Sequence, residues 1–209
     1  MLLCAITDRR RLSTAIQSEA AIRRRLLDLV QDWTAGGVHF IQLREKDLDP
    51  PALESLARKV REKIEGSPTK LLVNISTPAS ASLALAAGAH GVHLAGQPRA
   101  GAAGNVRRFF GEEAIVSVPC HSLEDVAVAV EEKVDMILFS PVFEKLATSL
   151  THGLEGLRRA SAAADGIPVF ALGGVTSSNA PACEAAGAAG IAGIRLFAGD
   201  DWRGLGTAK

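Results

Sequence analysis

"AGGVHFIQL" (Ala35–Leu43), "AAGAHGVHL" (Ala86–Leu94) and "AAGAAGIAGI" (Ala185–Ile194) are variants of one pattern. Each has small residues, then a glycine, then an apolar run. Glycine suits the left-handed position that closes a helix, and the run after it reads as a strand. From Gly36 to Gly88 is 52 positions, and from Gly88 to Gly187 is 99. At about 26 residues per unit, these gaps are close to two and four units.

Working outward, eight apolar runs alternate with helical patterns. They are Leu2–Thr7, Val38–Leu43, Lys70–Asn74, Gly91–Leu94, Ala114–Val118, Val134–Phe139, Pro168–Leu172 and Gly190–Leu196. Most are continuously apolar, as parallel strands covered on both faces are. Between them run amphipathic stripes at helical spacing: Ile22, Leu26, Leu29, Val30 and Trp33; Leu53, Leu56, Val60 and Ile64; Leu123, Val126 and Val130. Eight such units predict a single (β/α)8 TIM barrel over residues 1–209, with a short final helix after strand eight. A doubly wound open sheet is the alternative. It would more often carry a glycine-rich fingerprint after its first strand, where "ITDRRR" stands instead.

Composition sets outer limits. The chain has 209 residues, 47% hydrophobic and 22% charged, enough for one sizeable core. Formal net charge is +0, so no global field recruits nucleic acid or a membrane surface. Aromatic content is 4% without tyrosine, which speaks against a base-stacking surface. The three cysteines, Cys4, Cys120 and Cys183, have no metal-ligand or disulfide-framework spacing. The N-terminus lacks a basic segment before its short apolar stretch, so a reduced cytoplasm is the expected setting. A homo-oligomer is left open.

A barrel of this kind places its site at the carboxyl ends of the strands. There, Gln42, Arg44 and Lys46 share one side of the chain by strand alternation. They suit a phosphate or diphosphate, or simply form a solvated strand end. In "ALGGVTSSN" (Ala171–Asn179), Gly173 and Gly174 let backbone N–H groups approach a phosphate, with Thr176 or Ser177 as the following N-cap. Arg195 either adds charge there or pairs with Asp200 or Asp201. His121 is a candidate acid/base, or else only precedes a helix capped by Ser122, with Asp125 three positions on. His93 reads as a histidine of the core or one that supports the site from just behind it, and His39, His90 and His152 show no pattern. Cys120 and His121 are adjacent, and adjacent residues usually point apart, so a nucleophile–base pair is not expected.

With these pieces in order, the chain resembles the thiamine phosphate synthase/TenI family. The likeness runs through "AITD", "GGVHFIQLREKDL", "LLVN", "AAGAHGVHL", "CHSLEDV", "ILFSPVF", "HGLEGLRR", "IPVFALGGVTSSNA" and "AAGAAGIAGI". The resemblance implies two chemistries. The synthase joins hydroxymethylpyrimidine diphosphate to a thiazole phosphate with magnesium; TenI-branch tautomerases aromatise a thiazole carboxylate phosphate without metal. It also implies that Gln42, Arg44, Lys46 and Asn74 hold a pyrimidine and its diphosphate. Gly173 and Gly174, with backbone around Gly193–Arg195, would hold a thiazole phosphate, and His121 would be the acid/base. The synthase carries an Asp where this chain has Ile75, and another where Pro98 and Arg99 stand. Magnesium, and with it efficient coupling, is therefore not expected. After strand six, "FEKLATSLTHG" offers Lys145, Thr148 and Ser149 without a clean match to the synthase's phosphate loop. Three functions follow from the resemblance: a TenI-like enzyme binding a small phosphorylated heterocycle, a divergent synthase, or a non-catalytic regulatory barrel.

Overall fold

Each apolar run becomes a strand: β1 Leu2–Ile6, β2 Phe40–Leu43, β3 Lys70–Ile75, β4 Gly91–Leu94, β5 Ile115–Cys120, β6 Met136–Phe139, β7 Val169–Ala171 and β8 Gly190–Gly193. The computed structural model describes residues 1–12, 18–77, 80–143 and 151–205. All eight strands run parallel in sequence order, and β1 pairs with β8 to close the barrel. Closure excludes the open doubly wound sheet.

The helices are α1 Arg9–Leu12, α2 Glu19–Ala35, α3 Pro50–Lys63, α4 Ala81–Ala86, α5 Ala102–Phe110, α6 Leu123–Glu131, α7 Gly153–Ala163 and α8 Ala180–Ala185. Their starts follow local chemistry. Asp49 accepts from Ala52 N at the head of α3, where prolines fill the first positions and no N–H is lost. Ser122 accepts from Asp125 N at the head of α6, as expected.

Strand alternation divides the interior in two. Leu3, Ala5, Leu71 and Val73 face outward into the large layer between strands and helices. Cys4, Ile6 and Leu72 face inward with Met136, Leu138 and Phe170, filling the barrel. The α2 stripe is buried throughout, with Leu26, Leu29, Val30 and Trp33 in the outer layer. In the other two stripes Leu56, Val60, Ile64 and Val126 are buried, while Leu53, Leu123 and Val130 pack at the layer's edge.

Three local expectations are corrected. Gly36 is not the left-handed residue of its repeat: its φ is −86°, and Gly37 takes φ 82°, matching Gly88 at 71° and Gly187 at 94°. Gly36 is small for another reason, because a Cβ there would lie 2.3 Å from the Trp202 ring. Strand eight stops at Gly193. Arg195 adopts helical angles and opens a 3₁₀ turn, Leu196–Ala198, so the final helix is this single turn and precedes Gly199. The N-cap position of α8 is Asn179, which makes no side-chain capping bond, and not Thr176 or Ser177. Thr176 N donates to Asn179 Oδ1 and Asn179 N to Thr176 Oγ1, so those residues form a turn of their own before the helix.

Candidate functional site

Alternation beyond β2 sorts "REKD" by charge. Gln42, Arg44 and Lys46 line a cavity of about 250 Å³ in the barrel mouth. Glu45 and Asp47 turn to Arg9 instead. Glu45 accepts from Arg9 N, at 3.1 Å for its nearer oxygen, and Asp47 sits 2.6 Å from the Arg9 guanidinium. Arg44 N donates to the buried Thr7 hydroxyl at 2.9 Å, tying the two strand ends together. Burial raises the Glu45 carboxyl above its usual pKa, opposed by the Thr7 hydroxyl, Arg9 N–H and the Arg9 charge. The acids therefore anchor the loop, and the bases are left to the mouth.

Below the rim, Asn74, His93 and Ser117 are register partners on β3, β4 and β5, forming a polar row. Asn74 and His93 also line the mouth. His93 Nδ1 lies 3.0 Å from Ser117 Oγ. Burial, then the nearby Arg44 charge, lowers its pKa to about 3, so it is neutral at physiological pH. Gln42 is 2% exposed, and its Nε2 has no hydrogen-bond partner. An amide donor left open in a polar cavity is suited to a ligand acceptor.

His121 lines the same cavity, exposed at the mouth. Its Nδ1 is 2.7 Å from the Ser140 carbonyl oxygen. A carbonyl only accepts, so the ring proton belongs on Nδ1, and the neutral ring keeps a lone pair on Nε2. Asp125 accepts from His121 N at 2.7 Å, while Ser122 caps α6. The residue thus both precedes a capped helix and lines the mouth. Cys120 points the other way, into the outer core, where burial pushes its thiol up to about 12.

The glycine turn forms an adjoining compartment of about 330 Å³. Gly173 and Gly174 have φ of 94° and 67°, angles that suit residues without a Cβ. Gly193 and Arg195 complete it, and Leu172 and Ile194 line both this compartment and the mouth. Every residue expected at the site therefore borders one of two adjoining compartments. Arg11, from α1, also lines the glycine cradle and was missed. The signal for it was present in "ITDRRR", which follows β1 to the same rim. Asp200 bonds Arg203 at 2.7 Å, and among the described residues Arg195 has no ion pair. Lys145, Thr148 and Ser149 lie outside the described residues.

Magnesium needs oxygen ligands, chiefly carboxylates. Neither compartment has an Asp or Glu in its described lining. Ile75 is buried in the outer core beside a third space lined by Glu45, Lys46 and Asn74. There the single carboxylate, Glu45, is already held by Arg9. These donors do not suit magnesium.

The family described as thiamine monophosphate synthase matches residues 13–197. The chain belongs to that family. It is 41% identical over 182 residues to a putative thiamine-phosphate synthase of Geobacter sulfurreducens, covering 85% of this chain and 81% of the relative. It is 34% identical over 197 residues to putative thiamine-phosphate synthase 2 of Aquifex aeolicus, covering 93% and 96%. Among solved structures it is similar to thiamine phosphate pyrophosphorylase from Pyrococcus furiosus, with a TM-score of 0.76 and 26% identity over 97% of this chain and 90% of that one. The family's barrel is therefore present here together with a mouth whose described lining lacks carboxylates.

Proposed function

We propose that this member of the thiamine monophosphate synthase family acts in thiamine biosynthesis as a TenI-like, metal-independent tautomerase of a thiazole carboxylate phosphate. The observation that carries this reading is His121. Its Nδ1 is committed to the Ser140 carbonyl, and it lines a mouth that adjoins the glycine cradle across Leu172 and Ile194. Tautomerisation moves a proton and changes nothing else. Nε2 takes a proton from a ring carbon, giving an imidazolium held by the Ser140 oxygen. The imidazolium then returns a proton at the second carbon, and the ring becomes aromatic. The phosphate sits at Gly173, Gly174, Gly193 and Arg195, and Arg44 and Lys46 face the remaining negative charge.

Aromatisation of the thiazole carboxylate phosphate tautomer, followed by ultraviolet absorbance, tests this. The protein accelerates it, and His121→Ala slows the catalysed reaction by roughly 10²–10⁴-fold. No acceleration over buffer, or an unchanged rate in His121→Ala, ends the reading.

A second reading, a divergent synthase, is favoured by one observation. Gln42, Arg44, Lys46 and Asn74 all still line the mouth. Magnesium-dependent formation of thiamine phosphate from hydroxymethylpyrimidine diphosphate and thiazole phosphate would decide for it.

A further inference from the structure

Two arginines line the glycine cradle, and they come from opposite ends of the chain. Arg11 lies in α1, just after β1, and Arg195 follows β8. Because β1 and β8 pair where the barrel closes, residues separated by nearly the whole sequence share one rim. Among the described residues no acidic side chain lines the cradle. The carbonyl oxygens of its turn are engaged elsewhere: Gly173 O accepts from Phe143 N, and Gly174 O from Asn179 Nδ2. The peptide oxygens that would repel an anion are thus taken up by the protein.

A guanidinium presents a planar fork of donors fitted to phosphoryl oxygens, and it stays charged at any working pH. Two positive charges on one cradle are balanced in full only by a doubly charged group. We propose that Arg11 and Arg195 form a two-arginine clasp that selects the dianionic form of a terminal phosphoryl group and holds it without a divalent cation. The clasp rests on the reading that the ligand is phosphorylated, and it adds a charge preference to that reading. The second pKa of a phosphate ester is about 6, so affinity rises between about pH 5 and pH 7. Among the described residues, Arg11 and Arg195 are the ionisable side chains of the cradle lining; Arg44, Lys46, His93 and His121 border the adjoining mouth.

Calorimetric titration with inorganic phosphate in EDTA tests the clasp without any heterocycle. Sulfate, a dianion at both pH values, serves as the control for titration of the protein itself. The wild-type protein binds phosphate more tightly at pH 7 than at pH 5, relative to sulfate. Arg11→Gln and Arg195→Gln each weaken phosphate roughly tenfold at low salt and flatten the pH dependence. Arg195→Lys, which keeps the charge but loses the fork, falls between, and it also serves if a glutamine variant fails to fold by circular dichroism. Phosphate binding within about twofold of wild type in both glutamine variants, or no gain over sulfate on raising the pH, overturns the clasp. A protein that aromatises its substrate but shows either result loses only the clasp. One that binds phosphate through both arginines without aromatising loses only the tautomerase reading.

Discussion

His93 shows how a single residue acquires its chemistry from its surroundings. In the sequence it is a polar residue inside an apolar run, and the core reading was correct: it is 5% exposed and hydrogen-bonded to Ser117. The structure adds that it lines the mouth itself, beside Arg44. Its folded pKa is about 3, against 6.5 unfolded. The native state therefore binds fewer protons than the unfolded chain between these values, and stability present above pH 6.5 is lost as pH falls. Linkage puts that loss at about 2 kcal/mol by pH 5. His93→Asn, which keeps a polar atom near Ser117, removes it, so urea unfolding at pH 7 and pH 5 shows a smaller acid loss in the variant. Equal losses in both proteins would refute the assignment. His121 was legible as a candidate because it follows β5. Its tautomer was not, because that depends on Ser140, a residue of another strand end.

Whole elements were read more securely than their ends. The alternation of apolar runs and helical stripes located every strand and the buried face of α2, since both periods are properties of local geometry. The ends depend on neighbours. In the first repeat the adjacent glycines do different work: Gly37 takes the left-handed turn, and Gly36 makes room for Trp202, 166 positions further along the chain. Trp202 is 1% exposed and packs on Phe197, so its ring has little freedom to move. Gly36→Ala is therefore expected to cost roughly 1–3 kcal/mol by overpacking, although its φ of −86° suits alanine. In a Trp202→Leu background the cost shrinks, which a double-mutant cycle of thermal unfolding measures. The same penalty in both backgrounds would rule out the ring contact as its cause. His39 and His90 also gain a pattern at this scale. Each stands two residues after the left-handed glycine of its repeat and accepts a backbone N–H from the preceding strand, Leu3 or Leu71. For each, burial is the first cause of a lowered pKa, helped for His39 by the N-terminus and for His90 by Lys70 and Arg61.

Across the whole molecule the charges cancel, yet the cleft does not share that balance. Arg11, Arg44, Lys46 and Arg195 line its two compartments, and no described acid does. Fixed cations of this kind do for a bound anion what a metal ion does elsewhere. Treatment with EDTA is therefore expected to leave aromatisation within about twofold of its starting rate, with added magnesium giving no gain. A loss of roughly tenfold that magnesium restores would show that the metal is needed after all. The sequence by itself determined the barrel, its eight units and the residues at the strand ends, because periodicity and glycine placement are written along the chain. It also showed the missing carboxylates, at Ile75 and near Pro98, as departures from a family pattern. Only the tertiary structure decided that Glu45 and Asp47 turn to Arg9 while Arg44 and Lys46 enter the mouth, and that Arg11 meets the same cradle as Arg195. Those outcomes depend on which strands become neighbours when β1 meets β8, and no local period encodes a contact between the two ends of a chain.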